Sequence, residues 1–186
     1  MRGLGPPPQR LAVVADAPRI QELMRQSALA LFPNFYDDRQ VASGAIHIAH
    51  LDMRLIEDGT YFVHEDDGEL VACGGWSRRA KLYADAVARD DDERLLDPAS
   101  EPARVRAMFV RADWARRGIG TAILEACERA ARSEGFQSLV LMATLAGEPL
   151  YRAFGFREVE RLDIPLPDGV STEGVLMERP ITPGRR

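Results

Sequence analysis

The residues from Val110 to Thr121 read Val-Arg-Ala-Asp-Trp-Ala-Arg-Arg-Gly-Ile-Gly-Thr and hold the densest chemistry in the chain. An apolar stretch suited to a strand runs into Arg116 and Arg117, then into Gly118 and Gly120 at the start of an amphipathic helical pattern. Glycine there lets a ligand approach the backbone, and the first amides of a helix have no partner inside it. With a macrodipole worth about half a positive charge, such a helix start accepts an anion the size of a diphosphate. Arg116 and Arg117 add full charges beside it. Arg104, Arg106 and Arg111 bring the total to five arginines within fourteen residues, in a chain whose one lysine is Lys81. Arg111 faces either the anion or solvent. Two phosphate motifs do not fit: a dinucleotide fingerprint needs a small third residue where Ile123 stands, and a Walker A loop needs Gly-Lys-Ser/Thr.

Other reactive side chains carry weaker signals. His47 and His50 are three apart on an expected helix, a spacing open to a metal, but no HExxH pattern or third ligand accompanies them. Cys73, in Val-Ala-Cys-Gly-Gly-Trp, could be a nucleophile; without a histidine partner, a buried strand residue fits better. Asp37 and Asp38 could attract a cationic amine or simply face water.

The elements that must position these residues follow from periodicity. A short strand is expected over 11–14, then a helix from Asp16 as N-cap to about Leu31, with Ile20, Leu23, Met24, Ser27, Ala28 and Leu31 on one face. A less regular helical region covers 37–57. Strands over 60–65 and 69–77 form a hairpin around Asp66-Asp67-Gly68. Residues 79–102 read as a polar insertion with a charge run over 89–94. A strand over 104–110 should place Val105, Ala107 and Phe109 on one face. A helix over 118–133, a doubly covered strand over 138–143, a short helix over 148–154 ended by Gly155, and strands over 156–163 and 170–178 complete the order.

Composition bounds the class. At 186 residues, 46% apolar and 28% charged, the chain suits one globular domain, here placed at 10–180 with flexible termini at 1–9 and 181–186. The net charge of −5 argues against a general nucleic-acid binder. No apolar run reaches membrane-spanning or signal-peptide length, so a cytoplasmic protein with no membrane partner is expected. Two cysteines without a CxxC pair leave little room for a disulfide scaffold or a structural metal.

Ala115-Arg116-Arg117-Gly118-Ile119-Gly120 resembles the fingerprint Gln/Arg-x-x-Gly-x-Gly/Ala of the GNAT superfamily of N-acetyltransferases, with Ala115 in the first position. Tyr151-Arg152-Ala153-Phe154-Gly155-Phe156 is similar to that family's Tyr-x-x-x-Gly-Phe. The resemblance implies an α/β (α+β) GNAT fold. Its mixed central sheet would have about six or seven strands, the fourth and fifth splayed, and about four flanking helices.

It further implies acetyl-CoA as cosubstrate, held in that gap, and no metal. Met108, Phe109 and Val110 would meet the pantetheine arm, and the Met108 amide would face the thioester oxygen. Arg116, Arg117, Gly118, Ile119, Gly120 and Thr121 would hold the pyrophosphate. Tyr151 would be the general acid that protonates the leaving thiolate; packing of a short helix is its other reading. Arg104 stands where some members have a glutamate base, which leaves Glu101 as the nearest acid, with a relay of waters as the alternative. Thr144 replaces a common asparagine. Phe35, Tyr36 and Trp76 would line the acceptor pocket. The implied activity is direct acetyl transfer in a ternary complex to a primary amine, a small molecule by preference. A non-catalytic CoA-binding or sensing domain and a protein lysine or N-terminal acetyltransferase remain the alternatives, and a homodimer is compatible with either.

Overall fold

The computed structural model describes residues 5–83 and 90–182. Over these the chain runs β1 (Gln9–Leu11), α1 (Ala17–Leu31), α2 (Asp38–His47), α3 (Met53–Glu57), β2 (Tyr61–Asp66), β3 (Glu69–Ser77) and β4 (Ala103–Val110). It continues through α4 (Ile119–Ser133), β5 (Ser138–Thr144), α5 (Glu148–Phe154), β6 (Arg157–Pro165) and β7 (Ser171–Pro180). The seven strands form one mixed sheet in the order β1-β2-β3-β4-β5-β7-β6, in which β4 and β5 alone run parallel. No helix among the described residues is long and apolar enough to cross a membrane.

Both faces of the sheet are covered. One core gathers Ile20, Leu23 and Met24 of α1 with Tyr61, Val63 and Phe109. The other packs Ile119, Ile123 and Leu124 of α4 on Trp76, Leu139, Leu141 and Met177. The expected apolar stripes are these faces, except that Leu31 is only half buried at the end of α1. Asp16 precedes α1 without capping it; its carboxylate accepts instead from the Val13 amide at 2.9 Å and from Arg10. That local turn moves the first strand back from 11–14 to Gln9–Leu11. The region 37–57 divides because the Gln21 side chain bonds the Ala49 carbonyl and the Leu51 amide, ending α2. Asp37 caps α2 by accepting from the Gln40 amide at 2.8 Å.

The hairpin turn holds Asp67 at φ 48° and Gly68 at φ 80°, the two left-handed positions of a type I′ turn. Residues 79–83 and 90–102 carry little regular structure beyond an Arg79–Leu95 bridge, and Arg89 of the expected charge run lies outside the described residues. The Pro7 carbonyl meets His64 Nδ1 at 2.7 Å, Gln9 pairs with His64, and the Ile181 amide donates to the Gln137 carbonyl. Residues 1–4 and 183–186 of the expected flexible termini lie outside the described residues.

The feature that shapes the molecule is in β4. Cys73 pairs with Phe109 but Gly75 pairs with Arg106, so β4 spends one more residue than β3 over the same span. This bulge falls at Ala107, whose φ is 51°. It inverts the side-chain alternation: Val105 joins the α4-side core and Phe109 the α1-side core, against the expectation that they share a face. On its other edge β4 pairs with β5 only at Ala103–Leu139 and Arg104–Val140, and beyond these the two strands part.

Gly74 and Gly75 sit opposite the bulge. A Cβ on Gly74 would lie 2.7 Å from Met108 Cγ, and one on Gly75 would meet the Thr60 carbonyl and sit 2.8 Å from Tyr61 Cδ2. Backbone cannot give way as a flexible side chain can. Gly75→Ala is therefore expected to destabilise the fold by about 3 kcal/mol, read as a lower urea midpoint at unchanged slope.

Candidate active site

The parting of β4 and β5 opens a cleft of about 870 Å³, walled by 105–110 of β4 and 141–144 of β5. The start of α4 and one face of α5 close one end. The turn after α1, with Phe35 and Tyr36, and Glu173 of β7 border another part.

At the α4 end the backbone is shaped for an anion. Arg116 takes φ 61° and Gly118 φ 79°, both left-handed. The first helical bond of α4 runs from the Ala122 amide to the Gly118 carbonyl at 3.0 Å, which leaves the amides of Ile119, Gly120 and Thr121 without helical partners. No side chain caps this end, and the space above Gly118 is open. The two glycines have different reasons. Gly118 supplies the left-handed turn and the open approach. A Cβ on Gly120 would lie 2.6 Å from Leu150 Cδ2, so its smallness serves the packing of α4 on α5.

The clustered arginines disperse. Arg116 lines the cleft, whereas the Arg117 guanidinium lies 4.7 Å over the Trp114 ring and is absent from the lining. Arg111 makes two 2.6 Å bonds to Asp113 and one of 3.1 Å to Glu69 on the surface. Arg104 donates to the carbonyls of Ala80 and Pro102. Arg106 is buried on the cleft wall, 3.2 Å from Asp52, with Lys81 Nζ 3.5 Å from the same carboxylate oxygen. Burial pulls the Arg106 guanidinium below its ordinary value, opposed by Asp52. Burial alone would raise Asp52, but Arg106 and Lys81 outweigh it and hold the carboxyl below its ordinary value.

Met108, Phe109 and Val110 line the cleft, and neither Ala107 nor Met108 has a ladder partner on β3. The Ser27 hydroxyl donates to the Val110 carbonyl at 2.7 Å, fixing the end of β4 to α1. Tyr151 comes from α5, which Gly155 terminates at φ 104°. Its ring is buried edge-on against Phe156, 5.9 Å between centroids, and Gly147 leaves room for it. The Tyr151 hydroxyl has no hydrogen-bond partner among the described residues. Burial raises its pKa, with Cys127 nearby adding to the shift, so the phenol is neutral at pH 7.

Phe35 and Tyr36 both border the cleft. The Tyr36 hydroxyl donates to the Glu173 carbonyl and accepts from the Leu145 amide, each at 2.8 Å, and so ties the end of β5 to β7. Trp76 does not reach the cleft: it is 2% exposed in the α4-side core, edge-on to Phe136. Two-residue alternation puts it on the same face of β3 as Ala72 and Gly74, the face that α4 covers. Glu101 is also apart from the lining. Arg94 holds both its oxygens, its carboxylate accepts from the Asp97 amide, and its pKa is lowered to about 2 by these bonds. Of the carboxylates, Glu173 lines the cleft, together with His50; strand periodicity alone could not single out Glu173.

His47 instead lies 3.8 Å from Asp168. No group of three or more His, Cys, Asp or Glu among the described residues is arranged to hold a metal. Cys73 is fully buried, apart from the cleft lining, and desolvation pushes its thiol up to about 12.

Comparison with known proteins agrees with this geometry. The family model described as acetyltransferase (GNAT) family matches residues 21–156. No curated protein matches the chain. Among solved structures, a GCN5-related N-acetyltransferase from Rhodopseudomonas palustris is 16% identical, with TM-score 0.72 over 97% of this chain and 99% of that one. PaiA N-acetyltransferase from Thermoplasma acidophilum, in complex with coenzyme A, is 12% identical, with TM-score 0.65 over 93% and 98%. YncA from Salmonella typhimurium, with its cofactor acetyl-CoA, is 16% identical, with TM-score 0.59 over 96% of each chain. At these identities the likeness is one of fold.

The burial of Cys73 on β3 and Cys127 on α4 gives a direct check on the placement of that strand and helix. Desolvation raises both thiols, so neither forms appreciable thiolate near neutral pH. Native protein treated with iodoacetamide at pH 8 is expected to stay unmodified by mass spectrometry, and to take up two labels once unfolded in urea.

Proposed function

The chain belongs to the acetyltransferase (GNAT) family, and from that premise we propose that it transfers acetyl from acetyl-CoA to a small primary amine by direct attack in a ternary complex. The observation that carries the reading is the parted β4 and β5 with a bulge at Ala107–Met108, beside the unpartnered amides of α4. Acetyl-CoA supplies an activated thioester. The amides of Ile119, Gly120 and Thr121, with Arg116, are the groups that would hold its pyrophosphate, and the open space above Gly118 fits that use. Ala115 in place of a polar residue removes one side chain but none of these amides. The free edge of β4 over 108–110 offers the pantetheine arm the pairing a neighbouring strand would give.

Three tasks remain for the protein. The Met108 amide is the donor for negative charge developing on the thioester oxygen. The neutral Tyr151 phenol is the acid for the departing thiolate. Glu173, whose carboxylate accepts from Arg161 at 3.2 Å, and His50 border the cleft where Glu101 does not; Glu173 is the group there to attract a cationic amine, and His50 the group to take its proton. Phe35, Tyr36 and Tyr83 give that border an aromatic surface, which favours a small acceptor with apolar substituents.

A thiol-release assay with acetyl-CoA over amines, polyamines, amino acids and peptides tests the reading, because tight CoA binding without turnover would instead mark a binding module. Two variants refine it. Asn and Asp both tolerate the left-handed turn at 118, so Gly118→Asn and Gly118→Asp differ only by a charge beside the pyrophosphate. The Asp variant is expected to bind CoA at least about tenfold more weakly than the Asn variant by calorimetry. Tyr151→Phe keeps the ring but deletes the hydroxyl; kcat is expected to fall about 10²-fold with CoA affinity barely moved. Near-normal turnover under chemistry-limited conditions would leave Tyr151 a packing residue.

A further inference from the structure

We propose that Tyr61, a core residue outside the cleft lining, positions the oxyanion donor by fixing the Ala107–Met108 peptide group. The proposal rests on the reading of the Met108 amide given above.

Ala107 has a side chain yet sits at φ 51°, a left-handed conformation that persists only where its surroundings impose it. Its carbonyl lacks the usual partners. The β3 ladder passes from Cys73–Phe109 to Gly75–Arg106 without pairing Ala107 or Met108, and pairing with β5 has already ended at Arg104. What takes the Ala107 carbonyl is the Tyr61 hydroxyl, which donates to it at 2.6 Å.

That one bond has a consequence on the other side of the peptide. The Ala107 carbonyl and the Met108 N–H belong to one planar group, and no described peptide bond is cis. The C=O and N–H bonds therefore point in opposite directions. A hydroxyl that draws the carbonyl toward the α1-side core, where Tyr61 is packed, turns the N–H away from that core, and Met108 is a residue of the cleft wall. A hydrogen bond to a carbonyl also polarises its amide, so the N–H becomes a stronger donor.

Tyr61 is itself held firmly. Its ring is 1% exposed, and Gly75, whose Cβ would lie 2.8 Å from Tyr61 Cδ2, leaves it room. Burial, with Cys73 beside it, raises the phenol well above its ordinary value, so the O–H remains a donor throughout the working pH range. Cys73, fully buried and paired with Phe109 at the edge of the bulge, is a packing residue of β3. Tyr61 touches neither ligand site directly and is a positioning residue.

Tyr61→Phe removes the hydroxyl while filling almost the same space. The informative readout is the thioester carbonyl stretch of bound acetyl-CoA carrying a ¹³C-labelled carbonyl, measured by isotope-edited infrared difference spectroscopy. In the parent, the band is expected at lower frequency than in free acetyl-CoA. In the variant it should move back toward the free value. CoA affinity should stay within about twofold and kcat should fall about tenfold, less than for complete loss of an oxyanion donor. A variant with the parent's band and the parent's kcat, whatever its melting temperature, overturns the role of Tyr61 alone. A parent whose bound band sits at the free value overturns the Met108 reading and this proposal with it. If Tyr61→Phe does not fold, 2,3-difluorotyrosine placed at 61 gives a more acidic hydroxyl and a stronger donor. It should move the band further from the free value, and an unmoved band overturns the proposal.

Discussion

Two parallel strands that pair for two residues and then separate impose the central constraint on this molecule. Each keeps its other neighbour: β4 remains bonded to β3, and β5 to β7 along its whole length. The facing edges between them are left with backbone donors and acceptors that a continuous sheet would have satisfied, and unsatisfied buried groups cost about 1–3 kcal/mol each. The gap can therefore exist only where it is open to water or to a ligand with its own amides. The bulge in β4 converts this cost into geometry, since it turns one peptide group out of the ladder and swaps which core its neighbours join.

Keeping the strands apart falls to packing on both faces. Both cores grip β3; the α4-side core also holds Ala103 and Val105 at the paired end of β4, the α1-side core holds Phe109 beyond the bulge, and polar ties secure the parted ends. Ser27 of α1 holds the Val110 carbonyl, and Tyr36 joins the end of β5 to β7. Apolar burial supplies most of the stabilisation, at about 25 cal/mol per Å². The polar ties add only about 1 kcal/mol each, yet they decide where the edges stand. A gap held by apolar contact alone would be free to slide; hydrogen bonds with fixed direction prevent that.

Charge does a different job at the periphery. Arg161 of β6 contacts Glu148, Glu158 and Glu173, while Arg152 of α5 shares Glu148 and Glu158. Pairs this exposed contribute at most about 1 kcal/mol. They do cover an edge strand of nine residues with charge, which discourages pairing with a second edge. The same tendency of arginine to find a carboxylate explains why five arginines close in sequence do not form one patch. Asp113 and Glu69 capture Arg111, and Asp52 captures Arg106.

Much of this was legible from residue order. Periodicity placed α1, the hairpin turn at Asp67-Gly68, α4, α5 and the order of the strands, because those signals depend on neighbours within a few residues. Gly118 before an amphipathic helix and Tyr151 before Gly155-Phe156 marked the cleft, since each needs a particular backbone turn that its own residue type permits. What residue order could not decide depended on contacts across the sheet. The phase of β4 changes at Ala107 because Gly74 and Gly75, more than thirty residues earlier, admit a bulge there. Trp76 goes to the core and Glu173 to the cleft because of which helix covers each face, and Glu101 is taken up by Arg94 through the fold of a loop. Local pattern determined the elements and the turns between them. The direction of each side chain at the site was set by three-dimensional pairing, because a shift of one residue in a strand reverses every face that follows it.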